Sequence, residues 1–260
     1  MSALRVVGFC GADDSVAPEH LGCISARFPW IEWGVLFRPD LEGTPRYATW
    51  AWVERLAAVK RGGGGGGGSA LKLAGHLCAA RCQQVLEGDA SFVQQLHELG
   101  FGRVQINATA ANKVVVDATK LDVYAANVLA CVKAVPQVEF IFQLNDETRQ
   151  IWNYISSSSP VPSNLSVLFD ASCGLGVLAT EYPAPLAGIP SGYAGGIGPQ
   201  NLSQVLAAVG RAANGLPVWI DMESSLRSTV SDKLNPQGLD SFSLDKCFAC
   251  ALVAQSLFEK

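Results

Sequence analysis

The sequence predicts an α/β protein folded as a single-domain (β/α)8 barrel. Short apolar, β-rich runs alternate with helix-period segments along the whole chain. There are eight such runs in 260 residues, the usual size for this barrel. Polar side chains recur at the C-terminal ends of the runs, where barrels of this kind carry their sites. A doubly wound open sheet is the alternative. Its glycine fingerprint usually follows the first strand, whereas here the glycine-rich turn follows the seventh.

The first strand covers about 4–10 (Leu-Arg-Val-Val-Gly-Phe-Cys), with a helix-period segment near 16–27. The second, 31–37, precedes a helix near 49–60, and the third, 71–78, one near 90–99. Strands at 102–107 and 138–144 are followed by helices near 118–134 and 146–156. After the sixth strand, 165–170, Pro183, Pro185 and Pro190 allow at most a short turn. The seventh, 192–195, leads to a helix at 200–213, and the eighth, 217–222, to one at 240–258. The glycine run Gly62 to Gly68 reads as a flexible loop on the face opposite the usual site. The run Ser156 to Ser159, with Pro160 and Pro162, reads the same way. Neither breaks the barrel pattern, so residues 1–260 form one domain.

The chain is 49 % hydrophobic and 16 % charged, with a net charge of −4 and no basic cluster, which argues against nucleic-acid binding. No apolar run reaches membrane-spanning length, and no basic segment precedes an apolar one at the N-terminus. A soluble, cytoplasmic protein is expected, with no membrane partner. The sequence does not specify an oligomeric state. In that setting the eight cysteines are expected to be reduced. Cys247-Phe-Ala-Cys250 falls in a helix-period segment with no second CxxC and reads as core packing. His76, Cys78 and Cys82 have no evident fourth ligand, so no metal is expected there.

Ser191 to Asn201 reads Ser-Gly-Tyr-Ala-Gly-Gly-Ile-Gly-Pro-Gln-Asn, a strand entering paired glycines and then a helix. Uncovered amides at Gly195, Gly196 and Gly198, ahead of a helix N-terminus, make an anion cradle. The other strand ends carry Cys10, His76, Gln105, Asn107, Gln143, Asn145, Asp170, Asp221 and Glu223. Together they are expected to line a polar pocket. Cys10 with a lowered pKa suits a base, and Asp170 with a raised one suits an acid.

The order of motifs resembles the phosphoribosylanthranilate isomerase family. Phe9-Cys10-Gly11 is similar to its Ile-Cys-Gly, and Gly34-Val35-Leu36-Phe37 with Pro45-Arg46-Tyr47 to its Gly-Phe-Val-Phe and Lys-Arg-Tyr. Val104-Gln105-Ile106-Asn107 is similar to its Val-Gln-Leu-His. Leu168-Phe169-Asp170, with Gly174 and Gly176, resembles its Leu-Leu-Asp and glycine-rich loop. Ala194 to Asn201 resembles its Ser-Gly-Gly-Leu-x-Pro-Glu-Asn, and Ile220 to Ser225 its Val-Asp-Val-Ser-Ser-Gly. Asp240, Leu244 and Phe248 match its final helix.

The resemblance implies an Amadori rearrangement of an N-linked ribosyl phosphate, with no metal or organic cofactor. Asp170 would be the general acid and Cys10 the general base, with Arg46 meeting the substrate carboxylate. Gly195, Gly196, Gly198 and Ser224 would hold the phosphate. The chain departs from the family pattern at Gly8, where the family has lysine, and at Asn107, where it has histidine. It also has Glu223-Ser224-Ser225 for Ser-Ser-Gly, which adds negative charge beside the phosphate turn. A different small-molecule enzyme on the same scaffold, such as an epimerase or aldolase, is one alternative. A non-catalytic sugar-phosphate-binding protein is another.

Overall fold

The computed structural model describes residues 4–62, 70–158, 160–230 and 238–258. Most of the predicted glycine loop, 63–68, lies outside them. Eight parallel strands close into a barrel, in the order β1 to β8, with β8 pairing back on β1. They are β1 (Leu4–Cys10), β2 (Ile31–Phe37), β3 (Lys72–Leu77), β4 (Arg103–Ile106), β5 (Glu139–Leu144), β6 (Leu165–Phe169), β7 (Ser191–Tyr193) and β8 (Val218–Met222). This is the TIM-barrel architecture.

The surrounding helices are α1 (Pro18–Arg27), α2 (Trp50–Gly62), α3 (Ala79–Leu86), α4 (Ser91–Glu98), α5 (Leu121–Ala134), α6 (Arg149–Ser157), α7 (Leu202–Ala213) and α8 (Leu244–Gln255). As expected, no helix links β6 to β7 among the described residues.

Three differences from the sequence expectation have physical causes. Helix α3 starts right after β3, and its Cys82, Val85 and Leu86 pack at helical spacing into the core. The expected 240–258 helix is divided. Residues Leu239–Phe242 form β10, which pairs antiparallel with β9 (Arg227–Val230). Helix α8 then starts after Ser243, whose side chain accepts from the Lys246 amide as an N-cap. Finally, α5 begins at Leu121 because Asp117 accepts from the Thr119 amide and hydroxyl in a turn.

Outward strand residues and inward helix faces make the main core. Trp33 is fully buried, and its indole donates to Ser25 Oγ of α1 at 2.8 Å. Each large apolar side chain buried this way contributes about 1.5–3 kcal/mol. The barrel interior is partly ionic. Arg103 bonds Glu32 at 2.8 Å and Glu139 at 3.2 Å, with its guanidinium 4.3 Å from the Trp219 ring centre. This plug closes the N-terminal end.

The loop after β1 is tied to β9 by a second buried arginine. Arg227 donates to the Gly11 carbonyl, to Asp13 Oδ2 at 2.8 Å and to Asp240 Oδ1 at 2.7 Å. The Arg227 and Asp13 side chains are 3 % and 4 % exposed. No helix among the described residues is long and apolar enough to cross a membrane.

Candidate functional site

Parallel pairing puts the C-terminal strand ends at one mouth. The pocket there has about 560 Å³ of space, part of it open to solvent. Its walls carry Gln105, Asn107, Gln143, Asp170, Asp221 and Glu223, all expected from the sequence, together with Gly195, Gly196 and Ser224. The sequence reading missed Asn112, Ser172 and Ser225, which also line it. They lie on loops beyond the strand ends, so no strand periodicity marks them.

Asp170 is held tightly. Oδ1 accepts from the Ser172 amide and hydroxyl, and Oδ2 accepts from the Gly174 amide and from Gln143 Nε2 at 2.6 Å. These four donor groups come from three residues and meet both carboxyl oxygens. The bond to Asp170 also orients the Gln143 amide, because a carboxylate only accepts. Gln143 Oε1 is thereby left buried with no partner among the described residues. Gln105 Nε2 donates to Asn107 Oδ1 at 2.6 Å, extending the polar wall.

Below this wall, Cys10, His76 and Asp221 converge from β1, β3 and β8. Cys10 Sγ is 3.2 Å from His76 Nδ1, and His76 Nε2 is 3.8 Å from Asp221 Oδ2. Two strand glycines make room. A Cβ at Gly8 would overlap the Asp221 carboxyl, and one at Gly34 would sit 2.8 Å from His76 Nε2 and 2.9 Å from Cys10 Cα. Glycine inside a strand is itself a sign of close approach. Gly8 and Gly34 carry that signal in the sequence.

Burial, followed by Asp221, Glu223 and Cys78, pushes the Cys10 thiol well up. This is the opposite of what a thiol base requires. Cys10 is fully buried and is absent from the pocket walls. Burial, and secondarily Arg103, lowers His76 to about 3, so its ring is neutral. Burial, then the negative charge of Glu32 and Glu223, raises Asp221 to about 8.

The glycine turn follows β7, with positive φ at Gly195 (99°) and Gly196 (60°). Only part of it is available to a ligand. The Gly198 amide donates to Asn201 Oδ1 at 2.9 Å, serving the start of α7. A Cβ at Gly195 would lie 3.0 Å from both Asp170 Oδ1 and the Val177 carbonyl. The β6–β7 loop thus lies against the turn.

Three further candidates sit apart from the pocket walls. His76 belongs to the buried cluster. Asn145 holds the start of α6, with Oδ1 accepting from the Glu147 and Thr148 amides. Arg46, at φ 80°, pairs with Glu223 at 3.2 Å and with Asp240 at 3.5 Å at the rim. It thereby offsets the charge that Glu223 brings to the mouth. Burial pushes the Glu223 carboxyl up, while Arg46 and Arg227 pull it back.

No protein-family model matches the chain, and no curated protein matches it. Among solved structures it is similar to one described as PhdJ bound to a substrate intermediate, with 12 % identity and a TM-score of 0.42. That match covers 84 % of this chain and 65 % of the other, so the chain spans just under two thirds of that protein. It is also similar to the β-glycosidase BGL167, with 12 % identity, a TM-score of 0.41, and 94 % and 86 % of the two chains covered. Such distant likenesses concern the fold alone, and the barrel assignment rests on the closed strand order.

Proposed function

We propose that the barrel mouth is the active site of an isomerase acting on a small sugar derivative by aldose–ketose proton transfer. The observation that carries this reading is the Asp170–Gln143 pair, an acceptor carboxyl beside a buried amide oxygen that lacks a donor. A substrate hydroxyl would satisfy Gln143 Oε1, and amides along the wall suit a polyhydroxylated molecule. Asp170 takes the proton from the carbon next to the carbonyl and returns it to the neighbouring carbon. Glu223, another carboxyl at the mouth, accepts a hydrogen bond from the neighbouring hydroxyl, whose proton passes to the carbonyl oxygen as the double bond moves. Cys10 is not used, because substrate would have to pass through the pocket floor to reach it.

The motif order resembling phosphoribosylanthranilate isomerase supports a ribosyl substrate, with phosphate against Gly195, Gly196 and Ser224. A second reading, an unphosphorylated sugar, is favoured by the committed Gly198 amide and by Glu223 beside that turn. Turnover is measured on phosphoribosyl anthranilate by loss of its fluorescence, then on the dephosphorylated compound and a panel of aldoses and their phosphates. Wild type is expected to turn over at least one of these, and Asp170→Asn to lose about 100-fold or more. No turnover of any compound, or full activity in Asp170→Asn, overturns the reading.

A further inference from the structure

We propose that Cys10, His76 and Asp221 form a transition-metal site suited to Zn2+, with its remaining coordination position towards the pocket. The three donors come from β1, β3 and β8, and their ligating atoms all lie within 4.8 Å of one another. Zinc bonds of about 2.0–2.3 Å in a tetrahedron place ligand atoms about 3.3–3.7 Å apart. The His76 ring lies between the other two donors, with Nδ1 3.2 Å from Cys10 Sγ and Nε2 3.8 Å from Asp221 Oδ2. One ring nitrogen would ligate, so binding turns the imidazole and draws the three donors together from within 4.8 Å.

The donor set is selective. Thiolate, imidazole and carboxylate together fit a borderline-soft ion and are a poor match to Mg2+ or Ca2+. Three protein ligands with one open position is the pattern of a catalytic rather than a structural zinc site. Asp221 lines the pocket, so the ion has a path in and a ligand can reach it from that side. Cys10 and His76 are 0 % and 4 % exposed, which keeps competing water away from the other ligands.

A purely structural cluster explains the geometry less well. Gly8 and Gly34 forgo side chains in strand interiors, where glycine weakens a sheet, and the space goes to two ionisable groups. A nucleophilic Cys–His–Asp relay fails on access, because the thiol is sealed from the pocket. An ion is small enough to sit among the three groups. Binding displaces the Cys10 thiol proton and the Asp221 carboxyl proton to solvent, leaving a thiolate and a carboxylate on the ion. This differs from the cofactor-free expectation drawn from the family resemblance. It stands apart from the proposed isomerase activity, since its readout is optical.

The test uses chelator-treated full-length protein carrying Cys23→Ser, which removes an exposed thiol from α1. Titration with Co2+ is followed by absorbance. The expected result is saturation at one equivalent, with a near-ultraviolet thiolate-to-cobalt band and visible bands of a tetrahedral ion, both removed by Zn2+. Cys10→Ser is expected to lose the near-ultraviolet band, and His76→Gln to lose stoichiometric uptake. A thiolate band that survives in folded Cys10→Ser overturns the proposal. So does the absence of that band in the parent protein, which decides the matter even where a variant does not fold.

Discussion

Arg227→Leu should destabilise the protein more than any ordinary surface substitution. The guanidinium now contacts the Gly11 carbonyl, Asp13 and Asp240 within a space where its side chain is 3 % exposed. Leucine fills part of that volume but leaves Asp13, itself 4 % exposed, as a buried charge without its cation. Breaking such a pair costs about 3–5 kcal/mol. The lower end applies here, because Asp13 still accepts from the Ser15 amide and hydroxyl and from the Arg46 amide. At about 2–4 °C per kcal/mol for a chain near this size, about 3 kcal/mol lowers the melting temperature by about 6–12 °C. Calorimetry or circular dichroism measures it. Adding Asp13→Asn should recover part of the loss, because the orphaned charge disappears while an acceptor stays. A drop under about 2 °C refutes the burial argument. A double variant no better than Arg227→Leu refutes the charge argument.

Gly8→Ala forces a methyl into the Asp221 carboxyl and should cost about 1–3 kcal/mol, read as a lowered denaturation midpoint; an unchanged midpoint would show the space to be free. In metal-free protein held in chelator, Asp221 protonates more readily folded than unfolded. Its contribution is therefore complete below its ordinary value of 3.8 and is lost as pH rises through about 8. The melting temperature of Asp221→Asn should gain on that of wild type across this window, and parallel curves would contradict the assignment. A thiol reagent at neutral pH should label Cys23 quickly and Cys10 only on unfolding, as peptide mapping would show.

Much of the fold is legible in the chain because a barrel repeats one rule. Buried strand and amphipathic helix alternate, and each strand is marked by its own apolar run. The elements that escaped are those where local signals compete. Helix α3 follows β3 with only Cys78 between them, so the apolar run continues across the boundary. In 239–242 the residues Leu-Asp-Ser-Phe pair with β9, a long-range partner that helical periodicity cannot report. The site divides in the same way. Gln105, Gln143 and Asp170 follow from strand ends. The Cys10–His76–Asp221 cluster depends on three strands meeting across the barrel, which no spacing along the chain encodes. Asn145 shows the converse, since a polar strand end is equally well used to start a helix.

The β8–β1 seam also bears on how the protein is made. Chains emerge from the ribosome N-terminus first, so β1 through β7 are synthesised before β8. Until β8 arrives, β1 and β7 are open edges with unpaired backbone groups, the kind of surface that recruits other strands. Gly8 and Cys10 wait for Asp221, and Asp13 waits for Arg227. The last fifth of the chain therefore seals the sheet, completes the cluster and neutralises a buried charge in one step. A release factor acting before that point would yield a nearly complete chain with no closed barrel.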